Sequence, residues 1–282
     1  MSTTAAGIAV NPQGRRTGRL GFEPLRLVGI AGFILVWQAA SLLLPPAILP
    51  TPLAVLRRLC GDFLAAPDLS YYGLADPSLL GSMIYTAENV AMAVALGAVL
   101  AIPSGLFTAR QEVARAIIDP VMLTIGTVPI LILAPFLLIW FGVGRVSAVL
   151  LVTFYVSAVV YVAAQRAAEN VSPAFEEYAA TLGAAPRAVL RDILIPATLP
   201  EILGGLRIAL AGAWGLEAIA ELLGAQQGIG KIIEVLAGAT DASGIMAALL
   251  LLGLVAVVFD MLAAAAVRHL TRWKAPSSSE EN

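Results

Sequence analysis

The chain has 282 residues, of which 59% are hydrophobic and 13% are charged, with a formal net charge of −2. Because soluble domains are roughly half apolar and a quarter charged, a mean hydropathy of +0.88 excludes an ordinary soluble protein, and the small net charge argues against a nucleic-acid partner. One cysteine excludes an internal disulfide and one histidine excludes a histidine-based cluster, so we expect no metal site.

Six apolar stretches are long enough to cross a membrane as helices. A helix rises about 1.5 Å per residue, so about 20 residues cross roughly 30 Å of hydrocarbon. The first stretch follows a polar N-terminal tail, residues 1–24, and is longer than the core of a signal peptide, so we interpret it as a retained signal anchor. The predicted spans are Leu25–Leu44, Met83–Phe107, Val121–Phe141, Val146–Gln165, Leu206–Leu223 and Ile245–Val267.

The distribution of lysine and arginine orients these spans. With the N-terminus inside, the outer segments hold only Arg57, Arg58, Arg145 and Lys231. The inner segments hold Arg15, Arg16, Arg19, Arg26, Arg110, Arg115, Arg166, Arg187, Arg191, Arg207, Arg268, Arg272 and Lys274. An excess of basic residues in short inner segments follows the positive-inside rule. We therefore predict an all-α membrane protein with six transmembrane helices over residues 25–274, both termini cytoplasmic, and a disordered tail at 275–282.

Several residues are predicted to shape the spans and the outer surface. Pro129 and Pro135 would interrupt backbone hydrogen bonding in the third span, as occurs near substrate paths and also at kinks that only fit helices together. Small residues at four-residue spacing in the fifth span, suited to close packing at a dimer seam, are Gly205, Ala209 and Ala213. Helical spacing predicts a short amphipathic helix outside, formed by Leu53, Leu56, Leu59, Cys60 and Phe63.

A polar segment, residues 170–200, interrupts the membrane-like chain between the fourth and fifth spans. Ser172 and Pro173 predict the start of a helix, because a serine hydroxyl caps backbone N–H groups and proline suits the first helical position. Apolar residues at i, i+4 and i+7 predict one apolar face, formed by Phe175, Ala179 and Leu182.

This helix is predicted to end at Gly183, which adopts a positive φ readily. A second helix starts at Pro186, and Pro196 and Pro200 are predicted to close the segment. Such a helix pair either lies along the bilayer and binds nothing or docks a soluble protein. Gly183 favours docking, because a glycine lets another chain approach the backbone closely.

The same segment resembles a motif of the inner-membrane permeases of ATP-binding-cassette importers. In that family the motif reads Glu-Ala-Ala, then a glycine, then Ile-x-Leu-Pro. The residues of this chain that resemble it are Glu177, Ala179, Gly183, Ile193 and Pro196. Tyr178 and Ile195 depart from the pattern by replacing a small residue and a leucine. The resemblance extends over about residues 80–274 and indicates the nitrate, sulfonate and taurine branch, through Asp119-Pro120, Trp140–Gly144, Gly204–Arg207, Glu221–Gly224 and Gly228–Gly230.

The resemblance implies a function for the whole chain. Residues 170–200 would form a coupling segment, with the five motif residues at the ATPase, and the chain would act in the bacterial inner membrane. Its expected partners are a second permease copy in a homodimer, two ATPase subunits that bind ATP and magnesium, and an extracytoplasmic solute-binding protein. The chain itself would be no enzyme and would hold no cofactor. The expected solute is a small anion such as a sulfonate, taurine or nitrate, with heterocyclic vitamins or their precursors as the alternative.

Acidic residues within the spans form a second candidate site. Glu217 and Glu221 lie one turn apart on the fifth span, and a carboxylate in hydrocarbon costs several kcal/mol unless it is paired, hydrated or protonated. Either they line a water-filled path, where they would repel an anion, or a tilted span brings Glu221 to its outer end. The other candidate path residues are Pro129, Pro135 and Trp214. We interpret Glu88 and Asp260 as structural residues that pair or reach the interface.

Other classes of function lack sequence support. The stretch Gly224–Ile232 has the wrong glycine spacing for a phosphate-binding loop, and His269 lies in a basic tail, so no hydrolase triad forms. Two alternatives remain open. One is an ion-gradient-driven secondary transporter that uses Glu217, Glu221 and Asp260, although the chain has no inverted repeat. The other is a membrane scaffold that only anchors a soluble protein.

Overall fold

A computed structural model describes residues 22–74 and 78–273, so nearly all of both predicted tails lies outside the described residues. All regular elements within these residues are helical. They are α1 (Phe22–Leu43), α2 (Pro52–Asp62), α3 (Pro67–Ser70), α4 (Leu79–Thr108), α5 (Glu112–Thr127), a 3₁₀ turn (Ile130–Leu133), α6 (Ala134–Phe141), α7 (Arg145–Glu169), α8 (Pro173–Thr181), α9 (Pro186–Val189), a π-helical turn (Leu190–Leu194), α10 (Ile195–Gly224), α11 (Ile229–Gly238) and α12 (Ala242–Leu270). These described residues form two compact units, one that ends at Pro52 and one that begins at Leu53.

The apolar stretches predicted from the sequence all lie on helices, which confirms the all-α membrane fold. Among the described residues, four helices are long and apolar enough to cross a membrane: α4, α7, α12 and the continuous helix Pro186–Gly224. Counting α5 and the bent segment after it as one crossing gives a fifth. In α1 the apolar part, Leu27–Leu43, is shorter. The count of six spans and the positions of the termini therefore stay predictions.

The third predicted span is not one straight helix, which corrects the prediction for Val121–Phe141. The chain bends by 95° between α5 and the segment Ile130–Phe141. Val128 is extended (φ −69°, ψ 130°), as expected for a residue that precedes a proline, and Pro129 leads into the 3₁₀ turn. Pro135 lies in the first turn of α6, where a missing N–H leaves no intrahelical bond unmade. Pro129 therefore interrupts the helix as predicted, whereas Pro135 does not.

Helix α7 lies at the centre of the second unit. In the most apolar stretch of α7, 61% of the residues are buried, compared with 28% in α4 and 17% in α12. Helix α4 approaches α7 closely through small residues. A Cβ at Gly105 would stand 2.7 Å from the carbonyl oxygen of Tyr161 and 2.8 Å from the Cβ of Ala164, so only glycine fits there.

The small residues of α10 pack inside the chain, which corrects their predicted place at a dimer seam. A Cβ at Gly205 would collide with Ala163 of α7. Ala209 and Ala213 are fully buried in the core cluster that α4, α7 and α10 share. Their spacing was interpreted correctly as a close-packing stripe, but the helix that covers the stripe belongs to the same chain.

Helix α10 continues α9 instead of starting anew, so the prediction that Pro196 and Pro200 close the segment is wrong. The chain is helical from Pro186 to Gly224, with a π-helical turn at Leu190–Leu194 immediately before Pro196. Proline cannot donate to the carbonyl four residues earlier and its ring clashes there. A wider i→i+5 turn relieves this conflict, so the helix passes through Pro196 without ending.

The outer segment after α1 forms the predicted short helix, α2, but its buried side differs from the prediction. Val55 is fully buried, whereas Leu53 and Leu56 are about half exposed. Arg58 of α2 forms ion pairs with Asp62 (3.0 Å), Asp68 (3.3 Å) and Asp241 (3.3 Å), which joins α2 to the start of α12.

Asp241 caps α12 by accepting the N–H of Gly244 at 3.0 Å and the hydroxyl of Ser243 at 2.6 Å. Burial alone would raise the pKa of Asp241. These hydrogen bonds and the Arg58 charge outweigh the burial and hold the pKa below its ordinary value.

Candidate functional site

The candidate coupling segment contains a helix that ends at a glycine as predicted. α8 ends at Thr181, and Gly183, two residues later, has a φ of +82°. The N–H of Gly183 bonds to the carbonyl of Ala180 (2.9 Å), and the N–H of Ala184 bonds to the carbonyl of Ala179 (3.0 Å). This pair of bonds is a Schellman motif, which requires the left-handed residue that glycine supplies. At the other end Pro173 occupies the first turn, but the Ser172 hydroxyl makes no capping bond, so that part of the prediction is wrong.

An ion pair fixes the orientation of α8. Glu176 pairs with Arg110, which follows α4, at 2.6 Å, and the same guanidinium donates to the carbonyl of Val171 at 3.1 Å. Ala179 is buried on the same side of the helix. The predicted apolar face is therefore split, because Ala179 points into the chain while Phe175 and Leu182 do not.

The outward side of α8 carries three large apolar side chains, which we call the α8 triplet. Its members are Phe175, Tyr178 and Leu182, with exposed fractions of 63%, 68% and 72%. Their spacing of i, i+3 and i+7 places them on one face of the helix. Sequence analysis treated Tyr178 only as a departure from the family motif. The i, i+3, i+7 spacing was the signal that could have found it.

The other predicted coupling residues surround the triplet without forming one cluster. Glu177 is exposed and makes no ion pair with a described residue. Ile193 lies in the π-helical turn and is half-buried, as is Pro196 in the first turn of α10. Glu177 and Gly183 are therefore accessible to another protein. Pro196 instead belongs to the first turn of α10.

Glu221, predicted as a path residue, joins α10 to α4 and α11. Its carboxylate accepts the N–H of Gly230 at 3.0 Å and the hydroxyl of Thr86 at 2.8 Å. The Thr86 oxygen in turn accepts the N–H of Ile229 at 2.9 Å. The side chain of α10 thus satisfies the first N–H groups of α11, with help from α4. A Cβ at Gly228 would collide with this carboxylate, which explains the glycine at that turn.

Glu217 is buried among polar groups that it contacts only weakly. The Asn89 amide lies beside its carboxylate, but neither that pair nor the indole nitrogen of Trp214 makes a well-formed hydrogen bond within the described residues. Trp214 packs edge-on against Phe259 of α12, with ring centroids 5.1 Å apart. Glu217 and Glu221 are both fully buried by their own chain, so neither faces an open path in this conformation.

Two further acidic residues within the apolar helices form ion pairs with arginines. Arg207 of α10 holds Asp260 of α12 in a bidentate pair, with N–O distances of 2.5 and 2.6 Å. Arg145 pairs with Glu88 at 2.8 Å and lies 4.3 Å from the centroid of the Tyr85 ring. The structural interpretation of Glu88 and Asp260 is therefore confirmed, with arginine partners that the sequence did not identify.

Sequence analysis missed a buried polar cluster between α4, α5 and α7. Asp119 accepts hydrogen bonds from the hydroxyl of Tyr161, from Gln165 at 2.8 Å and from Arg115 at 3.2 Å. The Tyr161 hydroxyl also lies within hydrogen-bond distance of the Thr108 hydroxyl, at 3.0 Å. The cluster gives Asp119 a structural role, although the sequence marked Asp119-Pro120 only as a family resemblance. Within residues 22–74 and 78–273, no group of three or more His, Cys, Asp or Glu could hold a metal ion.

Comparisons with known proteins agree with this architecture. Residues 93–275 match the model of the family described as binding-protein-dependent transport system inner membrane component. The taurine transport system permease protein TauC of Escherichia coli (strain K12) is 30% identical over 238 residues, 84% of each chain. The putative aliphatic sulfonates transport permease protein SsuC of Bacillus subtilis (strain 168) is 26% identical over 96% of this chain and 94% of that protein.

A solved structure of the MetNI methionine ABC transporter, in an inward-facing conformation, has the same fold. It aligns with a TM-score of 0.62 at 20% identity and covers 73% of this chain and 99% of its own. At this identity the similarity concerns the fold alone. The family match extends over more than half of the chain, and TauC reaches 30% identity over most of it. The chain therefore belongs to the binding-protein-dependent transport system inner membrane components, the permease subunits of ATP-binding-cassette importers.

Proposed function

We propose that the chain forms half of a translocation path across the inner membrane and that α8 transmits the closure of a separate ATPase to it. The observation that carries this proposal is the α8 triplet. The Arg110–Glu176 ion pair and the buried Ala179 fix the helix on one side, while Phe175, Tyr178 and Leu182 project from the other. Three large apolar side chains on a segment outside the hydrocarbon indicate a surface that another protein covers.

ATP and magnesium would be bound by the partner ATPase. The nearest approach to a phosphate-binding loop here, around Gly228 and Gly230, forms the turn into α11. The N–H of Gly230 points to the Glu221 carboxylate, and Lys231 pairs with Glu234 at 2.6 Å, so neither group is free for a phosphate. This arrangement supports a chain that supplies the path and the coupling surface while its partners supply the chemistry.

The assembly would contain a second permease copy, two ATPases and an extracytoplasmic solute-binding protein, with both permease termini in the cytoplasm. Support for these partners comes from the family description and from the ABC transporter with the same fold. The basic residues at the inner ends of α4 and α12, Arg110 and Arg268, support the orientation.

The solute would be a small organic anion of the taurine or aliphatic sulfonate type, as the names of TauC and SsuC suggest. Two carboxylates on the path would repel such a solute. Glu217 and Glu221 are enclosed by their own chain, and Glu221 accepts hydrogen bonds there, so in this conformation that repulsion is absent. Glu217 lacks the hydrogen bonds to a hydroxyl and a backbone N–H that hold Glu221, so it is the better candidate for a path residue when the helices rearrange.

Gly183→Asp tests the coupling surface. A Cβ at Gly183 would meet nothing within 4 Å, and aspartate is among the residues that best tolerate a positive φ, so the fold should survive. We expect the variant to insert into the membrane and to lose ATPase binding in a detergent pull-down. Gly73→Asp is the matched control, because Gly73 also has a positive φ (+72°) and open space around it but lies in the outer segment.

Equal ATPase recovery with both variants would contradict the role of α8. Transport in proteoliposomes separates the function itself from its rivals. Uptake should require ATP and the ATPase. Uptake that persists without nucleotide and collapses with an ionophore would instead indicate a secondary transporter, and absence of any uptake by the complete complex would indicate a scaffold.

A further inference from the structure

A groove lies beside α8 that the sequence did not single out. Its volume is 490 Å³, and its lining includes Asn170, Ser172, Phe175, Asp192, Ile193 and Ala197. One wall is the start of α8 and the other is the π-helical turn. Because π-helical turns place side chains where a regular helix would not, they occur frequently at functional sites. Here the turn directs Asp192 and Ile193 into the groove.

The groove contains one carboxylate that no described residue neutralises. Asp192 is exposed and makes no hydrogen bond or ion pair with a described residue. Two nearby acids differ from it, because Glu176 is paired with Arg110 and Glu201 accepts from the Asn170 amide at 3.1 Å. Glu177 also makes no ion pair with a described residue, but it does not line the groove. The groove therefore contains an unpaired negative charge, that of Asp192, next to apolar side chains.

This combination fits the side chain of a lysine or arginine. Such a side chain packs its aliphatic stem along apolar surface and keeps its charged head beside a carboxylate. Phe175, Ile193 and Ala197 supply the apolar surface, and Asp192 supplies the carboxylate. Phe175 also belongs to the α8 triplet, so a protein that covers the triplet also reaches the groove.

We propose that, when α8 docks, a lysine or arginine of the ATPase subunit enters this groove and pairs with Asp192. The proposal rests on the proposed coupling function of α8. It adds a specific electrostatic contact to a surface that is otherwise apolar. Charged pairs at interfaces mainly determine which partner is accepted and how fast it associates, so Asp192 would determine which ATPase the permease accepts.

The test compares ATPase binding to the purified full-length permease in detergent. Asp192→Asn should weaken binding about tenfold and Asp192→Lys by more, whereas Asp192→Glu should bind within a few-fold of wild type. Glu112→Lys is the control, because Glu112 is an exposed acid at the start of α5 that makes no ion pair with a described residue and does not line the groove. Wild-type affinity should fall as KCl rises, and the fall should be shallower for Asp192→Asn.

A cross-link identifies the occupant of the groove. A benzophenone label on Ala197→Cys, in a Cys60→Ser background, should attach to the ATPase. Attachment to the permease itself or to a second copy, or wild-type affinity for Asp192→Lys, would overturn the proposal. If wild-type permease binds no ATPase at all, the proposed coupling function fails instead, so the two failures are distinguishable.

Discussion

Removing one side chain of the α8 triplet should weaken ATPase binding without changing the stability of the permease. Phe175 is 63% exposed, so most of its surface is still available to be buried when the ATPase docks. A phenylalanine buries roughly 200 Å², so the exposed part is about 125 Å², which at about 25 cal/mol per Å² corresponds to about 3 kcal/mol. Truncation to alanine retains part of that area, so we expect a loss of about 2 kcal/mol, which is roughly 30-fold in Kd.

The assay is titration of labelled ATPase against Phe175→Ala, Tyr178→Ala and Leu182→Ala permeases, with a thermal melt of each variant. Exposed positions of this kind change the free energy of unfolding by about 0.5 kcal/mol or less, so the melting temperatures should match wild type. Leu254→Ala on α12 is the matched control for Leu182→Ala, because Leu254 is also exposed (52%) but lies in an apolar helix. Wild-type ATPase affinity for all three triplet variants would refute the assignment of this surface.

Two further predictions concern the outer side of the permease. Gly230→Ala should lower stability by about 1–3 kcal/mol in a thermal melt, because its Cβ would collide with the carbonyl oxygen of Ala218. Gly215→Ala, with nothing within 4 Å, should not lower it; equal losses would contradict the close-packing argument. Asp241→Asn should destabilise the protein at neutral pH. Because the folded pKa of Asp241 lies below its ordinary 3.8, the difference from wild type should disappear as pH falls through and below 3.8, and a constant difference would contradict this linkage.

Sequence periodicity predicted the apolar helices and the glycine end of α8, because both depend on local rules. It failed at Pro196 and Pro200, where a local rule points to a helix end. The π-helical turn before Pro196 changes the hydrogen-bond register, and a register change of this kind leaves no pattern in the sequence. The same limit applies to the bend at Pro129, whose angle of 95° depends on how the following segment packs.

The candidate site was only partly predictable, since distant residues decide its orientation. Arg110 lies 66 residues before Glu176, and their pairing determines which side of α8 is exposed. Thr86 lies 135 residues before Glu221, and their hydrogen bond encloses a carboxylate that the sequence placed on the path. The sequence supplied the correct segment, whereas tertiary contacts selected Phe175, Tyr178 and Leu182 as its outward face.

The continuity of the helix from Pro186 to Gly224 has a mechanical consequence. With 39 residues it is about 58 Å long, nearly twice the thickness of the hydrocarbon layer. Its first two turns carry Asp192 and its last turn carries Glu221, which accepts from the first N–H groups of α11. Tilting a helix of this length by about 5° displaces one end by about 5 Å relative to the other. In the proposed orientation, a movement of the Asp192 end in the cytoplasm is therefore transmitted through one continuous helix to the turn into α11.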